Sequence, residues 1–177
     1  APGRDFWIQT EGGAKGVAYL LAEHASVNDR QPVRRGDVVI DCGAHVGIFT
    51  HGALERGARK VVAVEPHPLN IECLRRNFAR EIAEKRVVVY PKGVWSSDST
   101  LTLSVSRENT SMGSLVIDRK AGSIQVPLTT LDTLVAELKL ERVDYIKMDI
   151  EGAEREALKG AAQTLRRFKP RLMLDSY

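Results

Sequence analysis

This chain has few cysteines, few aromatics and no long apolar run. Its two cysteines, Cys42 and Cys73, are too few for a disulfide framework. One lies in a strand-like run and the other in a helix-like run, so both read as small buried residues of a chain from a reducing, cytoplasmic compartment. No stretch approaches the ~20 apolar residues of a membrane helix and no N-terminal leader is evident, so no membrane partner is expected. Aromatic residues make up 6% and do not interleave with the basic clusters Arg75-Arg76, Arg166-Arg167 and Lys169. Such clusters on helices read as solvated faces, and no nucleic acid partner is expected. Charge of one sign is also scarce: 26 basic residues against 23 acidic ones leave +3, too little to single out a polyanionic partner. The 177 residues, 43% of them hydrophobic, suffice for one core. Nothing in the sequence encodes an oligomeric state.

The most informative segment is a strand-like run that ends in an acid and opens onto two glycines, Val38-Val39-Ile40-Asp41-Cys42-Gly43-Ala44-His45-Val46-Gly47. A second run, Lys60-Val61-Val62-Ala63-Val64-Glu65-Pro66, also ends in an acid. Two buried-type strands with an intervening helix form a βαβ unit, which gathers these acids and glycines at the carboxyl ends of neighbouring parallel strands. Gly43 lets the chain leave the strand through a turn closed to residues with a Cβ. Gly47 lets the next helix approach the sheet, or a ligand approach the backbone. A helix starting near Val46 would turn its free N–H groups toward the crevice, where they favour an anion. Asp41 and Glu65 are acceptors beside it, and Glu65, 18 residues past Gly47, has the spacing of an acid that grips a ribose diol. Without a ligand, the same pattern is a structural turn whose acids cap helices.

The dinucleotide fingerprint Gly-x-Gly-x-x-Gly is absent, because His45 stands where its middle glycine would be. A pyrophosphate could not reach the backbone there as it does in NAD enzymes. An adenosine ligand without phosphates fits better, and S-adenosylmethionine is the candidate, since its amino-acid end needs both an anion site and an acidic acceptor.

Three blocks in order, Asp41-Cys42-Gly43-Ala44-His45-Val46-Gly47-Ile48-Phe49-Thr50, then Val64-Glu65-Pro66-His67-Pro68, then Ile146-Lys147-Met148-Asp149-Ile150-Glu151-Gly152-Ala153-Glu154, resemble the FkbM family of S-adenosylmethionine-dependent methyltransferases. The match covers residues 36 to 177; the first block is common among methyltransferases, and the third is fairly specific to this family. The resemblance implies a Rossmann-like class I methyltransferase, a mostly parallel α/β sheet flanked by helices, that methylates a hydroxyl of a small-molecule acceptor such as a sugar or polyketide-like compound. Relative to that family the C-terminal antiparallel hairpin is expected to be missing, because the chain stops at Tyr177.

Periodicity places strands at 37–42, 60–65 and 86–90, with helices at 47–57 and 68–83 between them. An antiparallel insertion is expected around 99–127, from Leu101-Thr102-Leu103-Ser104-Val105 and Ile124-Gln125-Val126. The polar loop 106–123 between them is a substrate-side lid or a plain hairpin tip. Thr130 caps a helix, a strand spans 143–150, one helix runs from Ala153 to Phe168, and a strand covers 171–175. Residues 1–35, with a helix-like stretch from Val17 to His24, form an N-terminal lid or packing segment, and 36–177 form the cofactor domain.

Methyl transfer from a sulfonium needs an aligned acceptor and, for a hydroxyl, a proton acceptor. Asp149 and Glu151 are the candidates, with Glu154 beside them. Acids at a helix N-terminus also complement its dipole with no other role. Gly43, Ala44, His45 and Gly47 would line the first turn, while Glu65, Pro66 and His67 line the second. Gly93 and Val94, with Trp95, would flank the adenine. Lys147 reads as paired rather than catalytic. Carboxylates here offer no rigid metal-ligand spacing, so no metal is expected. Two other functions remain open, a nucleotide-binding dehydrogenase and a non-catalytic binding domain of the same fold.

Overall fold

The computed structural model describes residues 5–8, 32–105 and 122–175. Five parallel strands make the main sheet, in the order β3-β2-β1-β7-β8: β1 is Val38–Cys42, β2 Lys60–Val64, β3 Val87–Tyr90, β7 Tyr145–Met148 and β8 Arg171–Leu174. The central strands are buried on both faces because helices cover both, and within them Asp41 on β1 and Lys147 on β7 are the buried charged residues. Alternation divides the two cores. Ile40, Cys42, Val62, Val64, Ile146 and Met148 face a cluster that includes Leu131, Leu134 and Ala157. Val39, Val61 and Tyr145 face Phe49 and Ala53, while Ala63 faces Leu74 and Phe78.

Helix α1 covers Ile48–Glu55, α2 Pro68–Asn77, α3 Ala79–Ala83, α4 Leu131–Glu137, α5 Glu154–Lys159 and α6 Ala162–Phe168. Strand order reverses between β1 and β7, where open parallel sheets have their ligand crevice. This is the α/β, Rossmann-like architecture expected from the sequence.

The interruption is also present. Strands β5 (Ser99–Val105) and β6 (Gly122–Thr129) pair antiparallel from Ser99–Leu128 to Val105–Gly122. A short β4, Gly93–Val94, joins β6 in parallel, and the three form a separate sheet.

Both long helices expected from the sequence are divided. The 68–83 helix breaks at Phe78, which caps α2 and precedes α3. Its wholly buried ring fills the space over Gly47. The 153–168 helix breaks at Gly160 and Ala161. Gly160 lies so close to Trp95 that a Cβ would stand 2.2 Å from the Trp95 carbonyl oxygen. Asp132 then accepts the backbone N–H groups of Gln163 and Thr164, at 3.0 and 2.7 Å, which starts α6 afresh. Helix α1 begins at Ile48 rather than near Val46, because Gly47 occupies the cap in a left-handed conformation, φ 98°. Thr130 caps α4 as expected, accepting from the Thr133 N–H at 2.9 Å.

Residues 5–8 dock on the α1–α2 side. The Phe6 ring meets His51 and Phe78 edge-on, at 5.4 and 6.3 Å, and Asn77 bonds both backbone groups of Trp7. The helix-like stretch 17–24 and the loop from 106 to 121 lie outside the described residues. Cys42 and Cys73 are buried and free. Among the described residues, no helix is long and apolar enough to cross a membrane.

Candidate functional site

The chain leaves β1 through a turn fastened to β2: the N–H groups of Gly43 and Ala44 both donate to the Val64 carbonyl, at 3.0 and 3.1 Å. Gly43 takes φ 78°, and a Cβ there would stand 2.0 Å from the Asp149 carbonyl oxygen. The first turn and the exit of β7 thus touch through backbone. Gly47 is needed for close approach too, but its neighbour is the Phe78 ring, 2.2 Å from where a Cβ would be.

His45 sits between the two glycines with φ 51°, a left-handed conformation that histidine, like asparagine and aspartate, adopts more often than other residues with a Cβ. Both ring nitrogens are buried and make no hydrogen bond among the described residues. Burial, then the Lys147 ammonium and His67, lower its pKa to about 4, so the imidazole is neutral at physiological pH. It presents one donor and one acceptor, neither of them partnered by a described residue.

Glu65, at the exit of β2, fastens two turns to one carboxylate. Oε2 accepts from the His45 N–H at 2.9 Å; Oε1 accepts from the His67 N–H at 2.9 Å and from Asn70 Nδ2 at 3.2 Å. Burial pushes its pKa up, against these three bonds. A carboxylate has about four lone-pair positions, so room remains for one further donor. His67 caps α2, its Nδ1 accepting from Leu69 N–H at 3.3 Å, and burial lowers its pKa. Pro66 lies beside the third exit, 3.7 Å from where a Cβ on Gly93 would be. Gly93 and Val94 are buried in β4, a separate strand rather than the end of β3.

Asp41 faces inward. It is wholly buried, accepts from Thr50 Oγ1 at 2.7 Å, and has the Lys147 ammonium 3.3 Å from Oδ1. That contact is an ion pair without hydrogen-bond alignment, since Oδ1 has no aligned donor among the described residues. The sequence placed Asp41 beside the crevice as an acceptor. Strand alternation instead turns it to the α1 face, where its partners are internal.

At the exit of β7, Asp149 is partly exposed, with Oδ2 3.8 Å from Lys147 Nζ. Burial and the nearby Asp175, Asp41 and Glu154 push its pKa up while Lys147 pulls it down, and the net direction is up. Glu151 and Gly152 follow with φ 55° and 90°, so the chain turns sharply before α5. Glu154 is buried and folds back, Oε1 accepting from the N–H groups of Ile150 and Gly152 at 2.9 and 3.4 Å. It organises the turn, as an acid at a helix start does. Among the described residues, no three His, Cys, Asp or Glu side chains gather to hold a metal ion.

Thr50 and Asn70, which hold Asp41 and Glu65, were not singled out by the sequence. Thr50 had a readable signal: it lies nine residues after Asp41, on the first turn of the following helix.

The Methyltransferase FkbM domain profile matches residues 41–176. Among curated proteins, the chain is 29% identical to methyltransferase sdnD of Sordaria araneosa over 153 residues, 69% of this chain and 59% of that protein. It is 27% identical to 31-O-demethyl-FK506 methyltransferase FkbM of Streptomyces tacrolimicus, covering 72% of this chain and 60% of that one. With hexuronic acid methyltransferase AglP of Haloferax volcanii the identity is 28%, covering 86% and 58%. The chain therefore spans about three fifths of the length of these relatives. The crystal structure of methyltransferase FkbM from Methylobacillus flagellatus KT superposes with a TM-score of 0.63 at 21% identity, covering 87% of this chain and 37% of that one. That likeness shows the fold.

Proposed function

The chain belongs to the FkbM methyltransferase family, and from that membership we propose that it is the cofactor-binding part of an S-adenosylmethionine-dependent methyltransferase. The acceptor is a hydroxyl of a small molecule, of the sugar or polyketide-like kind. Two relatives bear names of this sort, one for a demethylated FK506 and one for a hexuronic acid. Residues 36–177 are the unit that would hold the cofactor, and residues 5–8 dock beside it on the α1–α2 side.

The observation that carries the reading is His45. Two buried imidazole nitrogens that find no partner among the described residues are costly unless a ligand completes their bonds. The residue lies on the first turn, between the Gly43 exit and the start of α1. The groups around it fit an adenosyl ligand with an amino-acid end. Glu65 retains capacity for one ribose hydroxyl, the α1 N-terminus favours a carboxylate, and Pro66, His67, Gly93 and Val94 border the adenine side. Gly43, Ala44 and Gly47 shape the turn, while Asp41 supports it from within.

When bound, the sulfonium supplies a methyl group that is already activated. The protein's task is then to align the acceptor, exclude water and receive the hydroxyl proton. Asp149 is the first choice for that proton and Glu151 the second, because both leave β7 at the strand order reversal. Thermal-shift measurements test the reading: S-adenosylmethionine and S-adenosylhomocysteine should raise the melting temperature, and NAD and NADP should not. A rise with NAD alone would favour the dehydrogenase alternative, and no rise with any would favour a non-catalytic domain.

A further inference from the structure

Asp41 and Lys147 stand opposite each other in the β1–β7 ladder, both facing α1. Lys147 is buried. Its ammonium donates to the Gly43 carbonyl at 2.9 Å and approaches the Cys42 carbonyl at 3.4 Å. Two carboxylates flank it, Asp41 Oδ1 at 3.3 Å and Asp149 Oδ2 at 3.8 Å, and the Phe49 ring lies 5.9 Å away. One cation therefore spans the gap between the first turn and the exit of β7.

Lys147 ties β1 to β7 through the Gly43 carbonyl, but stability alone is a weak reason for a charge here, because a buried ion pair is often no more stabilising than a well-packed apolar pair. Asp41 alone would satisfy the ammonium as a salt bridge. The third partner, Asp149, lies two residues further along the same strand face, partly exposed, where the crevice opens.

We propose that Lys147 is a positioning residue, holding Asp149 as a carboxylate at the crevice while Asp41 shares the remainder of its charge. This inference rests on the reading of Asp149 as the acceptor of the substrate proton. The charged groups facing Asp149 are Lys147 on β7, Asp175 after β8, Asp41 on β1 and Glu154 on α5. Three are acids, and Lys147 opposes all of them. Its pull on Asp149 exceeds the push from Asp41, which gives the proposal a sign that can be read. Burial would lower the pKa of Lys147 itself, but Asp41 and Asp149 outweigh it and the net direction is up, so the cation persists.

The test is a titration of the Asp149 carboxyl by carbon-13 NMR in the ligand-free full chain, assigned by its loss in Asp149→Asn. Asp41→Asn keeps an acceptor for Thr50 and removes a competing acid, so the Asp149 midpoint should fall below wild type. Asp41→Asn combined with Lys147→Met should move it above wild type. A second pair, Asp41→Asn with Lys147→Gln, keeps a donor for the Gly43 carbonyl and removes only the charge, and should show the same rise. A midpoint in both pairs at or below wild type overturns the proposal. So does failure of both pairs to fold, which would make Lys147 a folding element. Calorimetry with S-adenosylhomocysteine on wild type separates the two readings: absence of binding sinks the cofactor assignment, while the titration still decides the coupling of Lys147 to Asp149.

Discussion

Gly43 and Asp149 meet through backbone alone, with the Asp149 carbonyl oxygen 2.0 Å from where a Cβ on Gly43 would stand. The contact closes the strand-order reversal between β1 and β7. It ties the turn that would hold the cofactor to the residue that would receive the proton. Gly152, by contrast, has φ 90° with no atom of the described residues within 4 Å of a Cβ.

The pair gives a controlled comparison. Gly152→Ala should cost only the left-handed conformation, about 1–2 kcal/mol. Gly43→Ala adds a clash with backbone that cannot swing aside, about 1–3 kcal/mol more. Urea unfolding of both variants measures the difference. Equal losses would mean that the Gly43–Asp149 approach relaxes without penalty.

His45 gives a pH prediction. Its folded pKa of about 4 lies below the ordinary 6.5, so between those values the unfolded chain binds more protons than the native one. The contribution to stability is present above pH 6.5 and is lost as pH falls toward 4, by about 3 kcal/mol in the limit. Asparagine tolerates the left-handed φ and does not titrate. His45→Asn should therefore flatten the fall in stability between pH 6.5 and 4. Glu65, His67 and Asp149 are present in both proteins and largely cancel in the difference. Parallel pH profiles would refute the buried neutral imidazole.

Glu65→Gln tests the double clamp. Both carboxylate oxygens accept backbone N–H groups, so an amide NH₂ must oppose one of those donors. The loss is about 1–3 kcal/mol of stability, the desolvation cost of an unpaired buried group. Binding of S-adenosylhomocysteine should weaken in parallel, because the His45 and His67 turns loosen together. Unchanged unfolding and unchanged calorimetry would remove Glu65 from both roles.

The strands were legible because β1 and β2 are buried on both faces and read as apolar runs with an acid at or just after the end. The pair β5 and β6 was legible from its period-two alternation. The helix breaks were not, since each depends on a contact remote in sequence: Phe78 on Gly47, and Gly160 on the Trp95 carbonyl. Local period carries no such information. In the site, the turns around Gly43 and Glu65 were readable from spacing. The inward face of Asp41 was not read, although the alternation Ile40-Asp41-Cys42 against Ile146-Lys147-Met148 contains it once the β1–β7 register is known. Glu154 looked like a partner of Glu151, but a buried acid at a helix start can bond its own turn, and this one does.

Asp149→Asn is the decisive substitution for mechanism. The amide keeps the shape of the carboxyl and much of its hydrogen bonding, but cannot take a proton from an attacking hydroxyl. Turnover should fall by ~10²-fold or more, the usual size of a general-base contribution, with cofactor affinity changed much less. Burial and the surrounding acids hold the Asp149 pKa above its ordinary value, which brings a carboxylate closer to the pH at which a base both stays ionised and accepts a proton readily. Glu151→Gln is the companion measurement. If the Glu151 variant loses turnover and the Asp149 variant does not, the order of the two candidates is reversed. If neither loses it at saturating cofactor, alignment of the reacting atoms alone accounts for the rate.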